Sequence, residues 1–281
     1  MTGPVLVTGA GGLLGGQVAW TFAQRGTDVL AFTHKQLDIT DAAVVRERIR
    51  TARPSLVVHC AAMTNVDACE EQPDLAFAVN EDGSANVAAA AADVGAPVVA
   101  VSTDYVFSGA SAPYSESDPT DPIQVYGRSK LAGEERVREA NPRHFIVRSA
   151  WIYGPGGKNF LSKLPQLAET NESISAVTDQ FGSPTYAPDL AEAIAVLASS
   201  EAYGTVHIVN TGRCSFAEFC ELAVRLLGSR LRVDHVKLED LGRPAPRPQD
   251  TTLVGAAWAA AGFGPLRPWE EACADFVVAA G

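Results

Sequence analysis

Tyr126 and Lys130 stand four residues apart in YGRSK, downstream of a glycine-rich opening, VLVTGAGGLLG. On a helix, positions i and i+4 share one face, so the Lys130 ammonium would sit beside the Tyr126 phenol and favour its phenolate. A phenol that ionises at about pH 10 in water is thereby drawn toward the working range. It can then give a proton to a carbonyl oxygen while a hydride reaches the carbonyl carbon, or serve the reverse reaction.

The opening glycines indicate where a hydride donor would bind. Gly9, Gly12 and Gly15 form GxxGxxG around Leu13 and Leu14, between an apolar strand and a helix. Gly9 suits a tight turn, Gly12 lets backbone approach a pyrophosphate, and Gly15 lets helix and strand pack closely. A plain strand-to-helix turn would use the same glycines, and the spacing departs from GxGxxG. At the end of the second strand an acid would bond a ribose 2′-hydroxyl, whereas a cation would accept a 2′-phosphate. This chain has Thr33, His34 and Lys35 there and no acid. Lys35, helped by His34, is expected to take the phosphate of NADPH, with NADH as the alternative and ordinary loop residues as the plainer reading.

These residues need a scaffold. PVLVT, DVLAFT, SLVVHCA, PVVAVST and HFIVRSA read as strands, separated by helical stretches at 12–25, 41–51, 73–94 and 125–140. The alternation predicts an α/β fold with a doubly wound parallel sheet covered on both faces. After SAWIYGPGG the segments shorten, with Pro-punctuated stretches at 179–188 and 243–248 and helices expected at 160–170, 188–199, 215–227 and 268–279. We expect a dinucleotide-binding domain at 1–153, joined by segments returning at about 178–210. Residues 154–281 mainly form a smaller substrate lobe that closes a cleft over the strand ends.

Composition bounds the partners. The 281 residues are 47% hydrophobic and 20% charged, enough for a sizeable core. A net charge of −11 without a Lys/Arg block argues against nucleic acid and anionic membrane. No apolar stretch is long enough to span a bilayer and no leader pattern is evident, so the cytoplasm is expected. Cys60, Cys69, Cys214, Cys220 and Cys273 are scattered, without CxxC spacing, and read as reduced thiols. No compact His or carboxylate cluster calls for a metal.

GxxGxxG, the CAA of 60–62, STDYVF at 102–107, YGRSK and SAWIYG together resemble the extended short-chain dehydrogenase/reductase superfamily. Within it, TNVDACE at 64–70, Val79-Asn80, GKNF at 157–160, DQFGSPTY at 179–186 and RPQDTTL at 247–253 resemble the dTDP-4-dehydrorhamnose reductase family over nearly the whole chain.

The resemblance implies a Thr103-Tyr126-Lys130 triad. Tyr126 would donate the proton, Lys130 would lower its pKa and bond the nicotinamide ribose, and Thr103 would orient the carbonyl. It also implies that Ala61 and Ala62, at the end of the fourth strand, pack against the cofactor, and that Asp38 and Ile39 bracket its adenine. The plainer reading of Asp38 is a helix-start cap, and Asn80 is as much a structural as a catalytic candidate. Asp104, Tyr105, Trp151, Asn159, Phe160, Gln180, Thr185 and Arg247 fall at substrate positions, Arg247 suiting a diphosphate. The implied substrate is a dTDP-linked 4-keto-6-deoxy sugar, reduced at C4 to dTDP-L-rhamnose by a monomer or homodimer. A sister reductase of a secondary-metabolite deoxysugar pathway is the nearer alternative, and a non-catalytic binding subunit the further one.

Overall fold

The computed structural model describes residues 3–157 and 159–280, so Lys158 of the GKNF stretch lies outside the described residues. β1 (Val5–Thr8) leads into α1 (Leu13–Gln24), β2 (Val29–Phe32) into α2 (Ala42–Ala52), and β3 (Leu56–His59) into α3 (Val66–Glu71). Next come α4 (Pro73–Phe77), a π turn at Ala78–Asp82, α5 (Gly83–Asp93), β4 (Val98–Thr103), α6 (Val125–Ala140) and β5 (His144–Ser149). Six strands, all parallel, form the main sheet in the order β2-β1-β3-β4-β5, closed at the far edge by β10 (Gly204–His207). The expected doubly wound sheet is therefore present. β1 and β3 are buried along their whole lengths, which explains why they read as unbroken apolar runs.

The chain reverses its winding between β1 and β3, and a crevice at the carboxyl ends of the strands is the place where such sheets take ligands. One face is packed by Leu14, Val18 and Phe22 of α1 with Leu190 and Ile194 of α8 (Ala187–Leu197). The other is packed by Val45 and Ile49 of α2, Val87 and Ala91 of α5, and Val137 of α6.

The remaining elements are β6 (Ile152–Tyr153), α7 (Phe160–Thr170), β7 (Ser173–Val177), β8 (Phe181–Gly182), β9 (Thr185–Tyr186) and β11 (Asn210–Thr211). They continue with β12 (Cys214–Ser215), α9 (Phe216–Leu226), β13 (Arg232–Val236), α10 (Ala256–Ala260), β14 (Leu266–Pro268) and α11 (Trp269–Ala280). Tyr153, Leu161, Phe219, Cys220, Trp269 and Phe276 belong to a separate core that α7, α9 and α11 share. Reciprocal capping boxes start two of these helices, Asn159 with Ser162 on α7 and Ser215 with Glu218 on α9. α10 returns to the main sheet, where Trp258 joins the α1/α8 side.

Two expectations change. The helix expected over 73–94 is interrupted by the π turn, and Ala61 and Ala62 follow β3, the third strand in the chain rather than the fourth. Among the described residues, no helix is long and apolar enough to cross a membrane.

Candidate active site

β4 ends on Thr103, and α6 lies against the turn that follows it. The approach depends on two glycines of α6. A methyl group at Gly127 would lie 2.0 Å from the Tyr105 carbonyl oxygen, and one at Gly133 would lie 2.1 Å from that of Asn80. Tyr126 and Lys130 are carried by this closely seated helix.

Thr103 accepts a hydrogen bond from Tyr105 N–H at 3.1 Å and so starts the 3-10 turn at Asp104–Val106. Its hydroxyl donates to Asp104 Oδ1 at 3.0 Å, and the Thr251 hydroxyl donates to Asp104 Oδ2. Burial pushes the Asp104 carboxyl up to about 6, although both hydroxyls favour its charge. The Tyr105 ring meets Tyr126 edge-on, with centroids 6.0 Å apart. Tyr105 is pinned by Gln180, whose Nε2 donates to its hydroxyl at 3.0 Å.

Lys130 is buried, and its Nζ donates to the Val101 carbonyl of β4 at 2.8 Å. Burial pulls its pKa down to about 8, with Glu134 opposing. Tyr126 is pushed the other way, above the ordinary tyrosine value, by burial against the opposing Thr103 hydroxyl. The expected lowering of Tyr126 by Lys130 is therefore not realised here. The Val101 carbonyl takes up the ammonium, and desolvation dominates the phenol.

The glycine turn meets β3 at the sheet's crevice. Gly9 adopts φ 70°, and a methyl there would fall 2.6 Å from Ala61 N. Gly12 is the N-cap of α1 and makes no side-chain cap, so no capping side chain takes up the first N–H groups of that helix. Leu13 is half-buried under Gly157 of the loop after β6, and Ala61 and Ala62 are half-buried. His34 and Lys35 are exposed beyond β2.

The side chains of Leu14 and Ile39 belong to the core, so a cofactor would meet these two residues through their backbone. Asp38 accepts from Thr40 N and Oγ1 rather than starting a helix. The cap of α2 is Asp41, which accepts from Ala43 N and Val44 N. Asn80 is structural in this arrangement. Its amide bonds both the N–H and the carbonyl of Met63 and donates to Ser129 of α6 at 3.0 Å.

On the substrate side, Trp151 is held at φ 44°, a strained conformation for a bulky residue, with its ring edge-on to Phe216 at 5.6 Å. Phe160 meets Phe216 at 5.2 Å, so the three rings make one apolar surface. Three of the expected substrate residues also make bonds within the protein. Asn159 caps α7 while its amide nitrogen bonds the Gly154 carbonyl. Thr185 is fully buried and donates to the Ser183 carbonyl, because β9 pairs with β6 beneath Trp151. Arg247 donates to Asp67 at 2.9 Å and to the Ala245 carbonyl at 2.8 Å.

Residues 2–280 match the family model described as the RmlD substrate binding domain. The dTDP-4-dehydrorhamnose reductase of Streptomyces griseus is 42% identical, covering 96% of this chain and 91% of its own. This chain belongs to the dTDP-4-dehydrorhamnose reductase family. Among solved structures it is similar to the dTDP-4-dehydrorhamnose reductase of Bacillus anthracis in complex with NADP. That structure has a TM-score of 0.97 and 39% identity, over 99% of this chain and all of that one. A dTDP-4-keto-6-deoxy-D-glucose reductase of Streptomyces niveus is 39% identical over 97% of this chain and 96% of its own.

For a member of the dTDP-4-dehydrorhamnose reductase family, the structure adds candidates that sequence reasoning missed. Lys237 and Arg243 line a cleft of ≈ 550 Å³ with Arg247, Asp179 and Gln249. Asp67 fastens this cleft to α3 by accepting from Arg243, Ala245 N and Arg247. Thr251 was within RPQDTTL and Asp67 within TNVDACE, so their motifs were visible although their partners were not. Phe216 carried no such signal. Among the described residues, no group of three or more His, Cys, Asp or Glu is placed to hold a metal ion.

Proposed function

We propose that this chain reduces the C4 ketone of a dTDP-4-dehydro-6-deoxy-L-hexose, converting dTDP-4-dehydro-L-rhamnose to dTDP-L-rhamnose with NADPH or NADH. The observation that carries the reading is that the Thr103 hydroxyl at the end of β4 meets both Asp104 and the Tyr126 phenol, on a chain of this family. An uncapped α1 N-terminus and the close Gly9–Ala61 approach suit a pyrophosphate in the neighbouring crevice. We read 1–153, with the returning α8 and β10, as the dinucleotide-binding unit, and 154–281 mainly as the substrate lobe. Nicotinamide cofactors are kept inside cells, so the cytoplasm is the fitting place for the step.

When bound, the cofactor supplies the hydride. The chain must exclude water, hold the ketone and deliver one proton to its oxygen. Tyr126 Oη is the group for that delivery, and burial keeps it protonated until a negative charge develops on the ketone oxygen. Thr103, tied to Asp104, offers its hydroxyl to the phenol. Lys130 provides a positive charge one helical turn away. Arg243 and Lys237 suit the diphosphate, and the Trp151-Phe216-Phe160 surface suits an apolar part of the nucleotide sugar.

The Streptomyces niveus relative favours one second reading, a 4-keto-deoxysugar reductase with a different hexose. The test is loss of nicotinamide absorbance when purified protein meets dTDP-4-dehydro-L-rhamnose or dTDP-4-keto-6-deoxy-D-glucose. Faster turnover of the former is expected. Turnover of neither, in protein that binds cofactor, would sink the enzymatic reading.

A further inference from the structure

Tyr126, Lys130 and Glu134 recur every fourth residue along α6 and so form one stripe. The facing stripe is the end of β4. Lys130 Nζ bonds the Val101 carbonyl, Ser102 Oγ donates to Glu134 Oε1 at 2.6 Å, and Thr103 comes next. Arg148 of β5, the register partner of Ser102, grips the same carboxylate with two bonds of 2.9 and 2.7 Å, and Arg138 adds a third at 2.8 Å. Glu134 and Arg148 are almost wholly buried, with side chains 2% and 3% exposed.

We propose that Glu134 is a positioning residue for the reduction, holding Lys130 as an ammonium and in register with Tyr126 and Thr103. The inference rests on the reading of Lys130 as a group that the reaction needs charged. A buried carboxylate gripped on both oxygens is a fixed negative point rather than a mobile one. Burial opposes its charge, but the bonds and charge of Arg148, Ser102 and Arg138 outweigh this and hold the carboxyl below the usual range. The other titratable groups facing Lys130 are neutral near pH 7. Burial pushes the Cys60 thiol up to about 12 and draws the His59 imidazole down to about 3. Glu134 is thus the acidic group on the Lys130 face of α6 that opposes the effect of burial, with Arg148 and Arg138 sharing its carboxylate.

The sign follows. Lys130 is active as the ammonium, so activity falls as pH rises through its folded pKa of about 8. Removing the Glu134 charge lowers that pKa and moves the basic limb to lower pH.

The experiment measures kcat/KM for the 4-keto sugar from about pH 6 to 10 in wild type, Glu134→Gln, Glu134→Asp and Arg138→Gln, with thermal melts alongside. Glu134→Gln is expected to move the limb down by about one pH unit, giving about a five-fold loss at pH 8 and little loss at about pH 6.5. Glu134→Asp should bring the limb back toward wild type. Arg138→Gln, which removes a partly exposed competitor for the carboxylate, should move it up. An unmoved limb with an equal loss at every pH would make Glu134 merely structural and overturn the proposal. If Glu134→Gln does not fold, an Arg138→Gln limb that stays put or falls overturns it equally. Lys130→Met is run in parallel. Wild-type turnover there would defeat the site reading itself, a different failure.

Discussion

Replacing Gly127 with alanine sets two physical effects against each other. Alanine is the better helix former by about 1 kcal/mol in a helix interior, so propensity alone predicts a more stable protein. The new methyl, however, would sit 2.0 Å from the Tyr105 carbonyl oxygen and 2.9 Å from Pro122 Cβ. Ordinary contact is about 3.5 Å, so α6 must withdraw by about 1.5 Å or the Thr103–Tyr105 turn must give way. That turn is held by Thr103, Gln180 and the buried Asp104, so the helix is the part expected to move. The net effect is a loss of about 1 to 3 kcal/mol, as for an overpacked core. The larger consequence is kinetic. Tyr126 is the neighbouring residue, and a shift of about 1 Å in a proton donor costs on the order of a hundred-fold in kcat. Steady-state kinetics, cofactor titration by fluorescence and a thermal melt measure the three quantities. Cofactor affinity should fall less than kcat, because the glycine turn and the β1/β3 crevice lie on other elements and only the Lys130 contact to the ribose moves with α6. Wild-type kcat in a protein as stable as wild type would refute the claim that close helix seating positions Tyr126.

Tyr126→Phe should retain cofactor affinity and lose most turnover, and full activity in a coupled assay would remove the phenol from the mechanism. Lys35→Ala should weaken NADPH binding by several-fold and leave NADH unchanged, as expected when one exposed cation meets a phosphate; an unaltered NADPH to NADH ratio in titrations would defeat that assignment. The folded pKa of Asp104, about 6, lies above its unfolded value of 3.8, so the native state holds the proton more tightly and stability falls as pH rises through this window. The cost at pH 7 relative to pH 4 is about 2 kcal/mol. In Asp104→Asn, urea midpoints should lose that part of the slope, and an unchanged slope would show that Asp104 is not the responsible group.

Much of the framework was legible because it depends on local pattern. The five strands that open the sheet are apolar runs bounded by turns, and Val125–Ala140 is helical over the span expected for α6. What escaped was everything set by distant pairing. Asp67 meets Arg247, and Asp104 meets Thr251, across most of the chain, and no spacing rule can join them. Strands of two residues, such as β8, β9 and β12, are too short to show a period of two. Motif membership also did not say which way a side chain faces. Leu14, Ile39 and Thr185 lie in matching positions yet turn inward. Asn159 illustrates the same ambiguity differently, since an Asn three residues before a Ser at a helix start is a capping pattern, and capping is what its amide does. Glu134 was within reach of sequence reasoning, because it continues the four-residue spacing of Tyr126 and Lys130.

The direction of the reaction gives the Tyr126 and Lys130 pair its sense. A residue that must receive a proton from an alcohol needs a low pKa, whereas one that must give a proton to a ketone oxygen needs to enter the reaction protonated. Burial places Tyr126 in the second condition. The Val101 carbonyl meanwhile keeps the Lys130 ammonium from neutralising a phenolate before substrate arrives. The proton becomes transferable when charge grows on the ketone oxygen, because the phenolate left behind then gains from Lys130 an attraction that the neutral phenol does not have. On this argument Lys130 acts on the transition state more than on the resting tyrosine. Its loss should therefore lower kcat while leaving the resting ionisation of Tyr126, read by ultraviolet difference titration, nearly unchanged. A large downward move of the Tyr126 titration on restoring Lys130 to a Lys130→Met protein would contradict it.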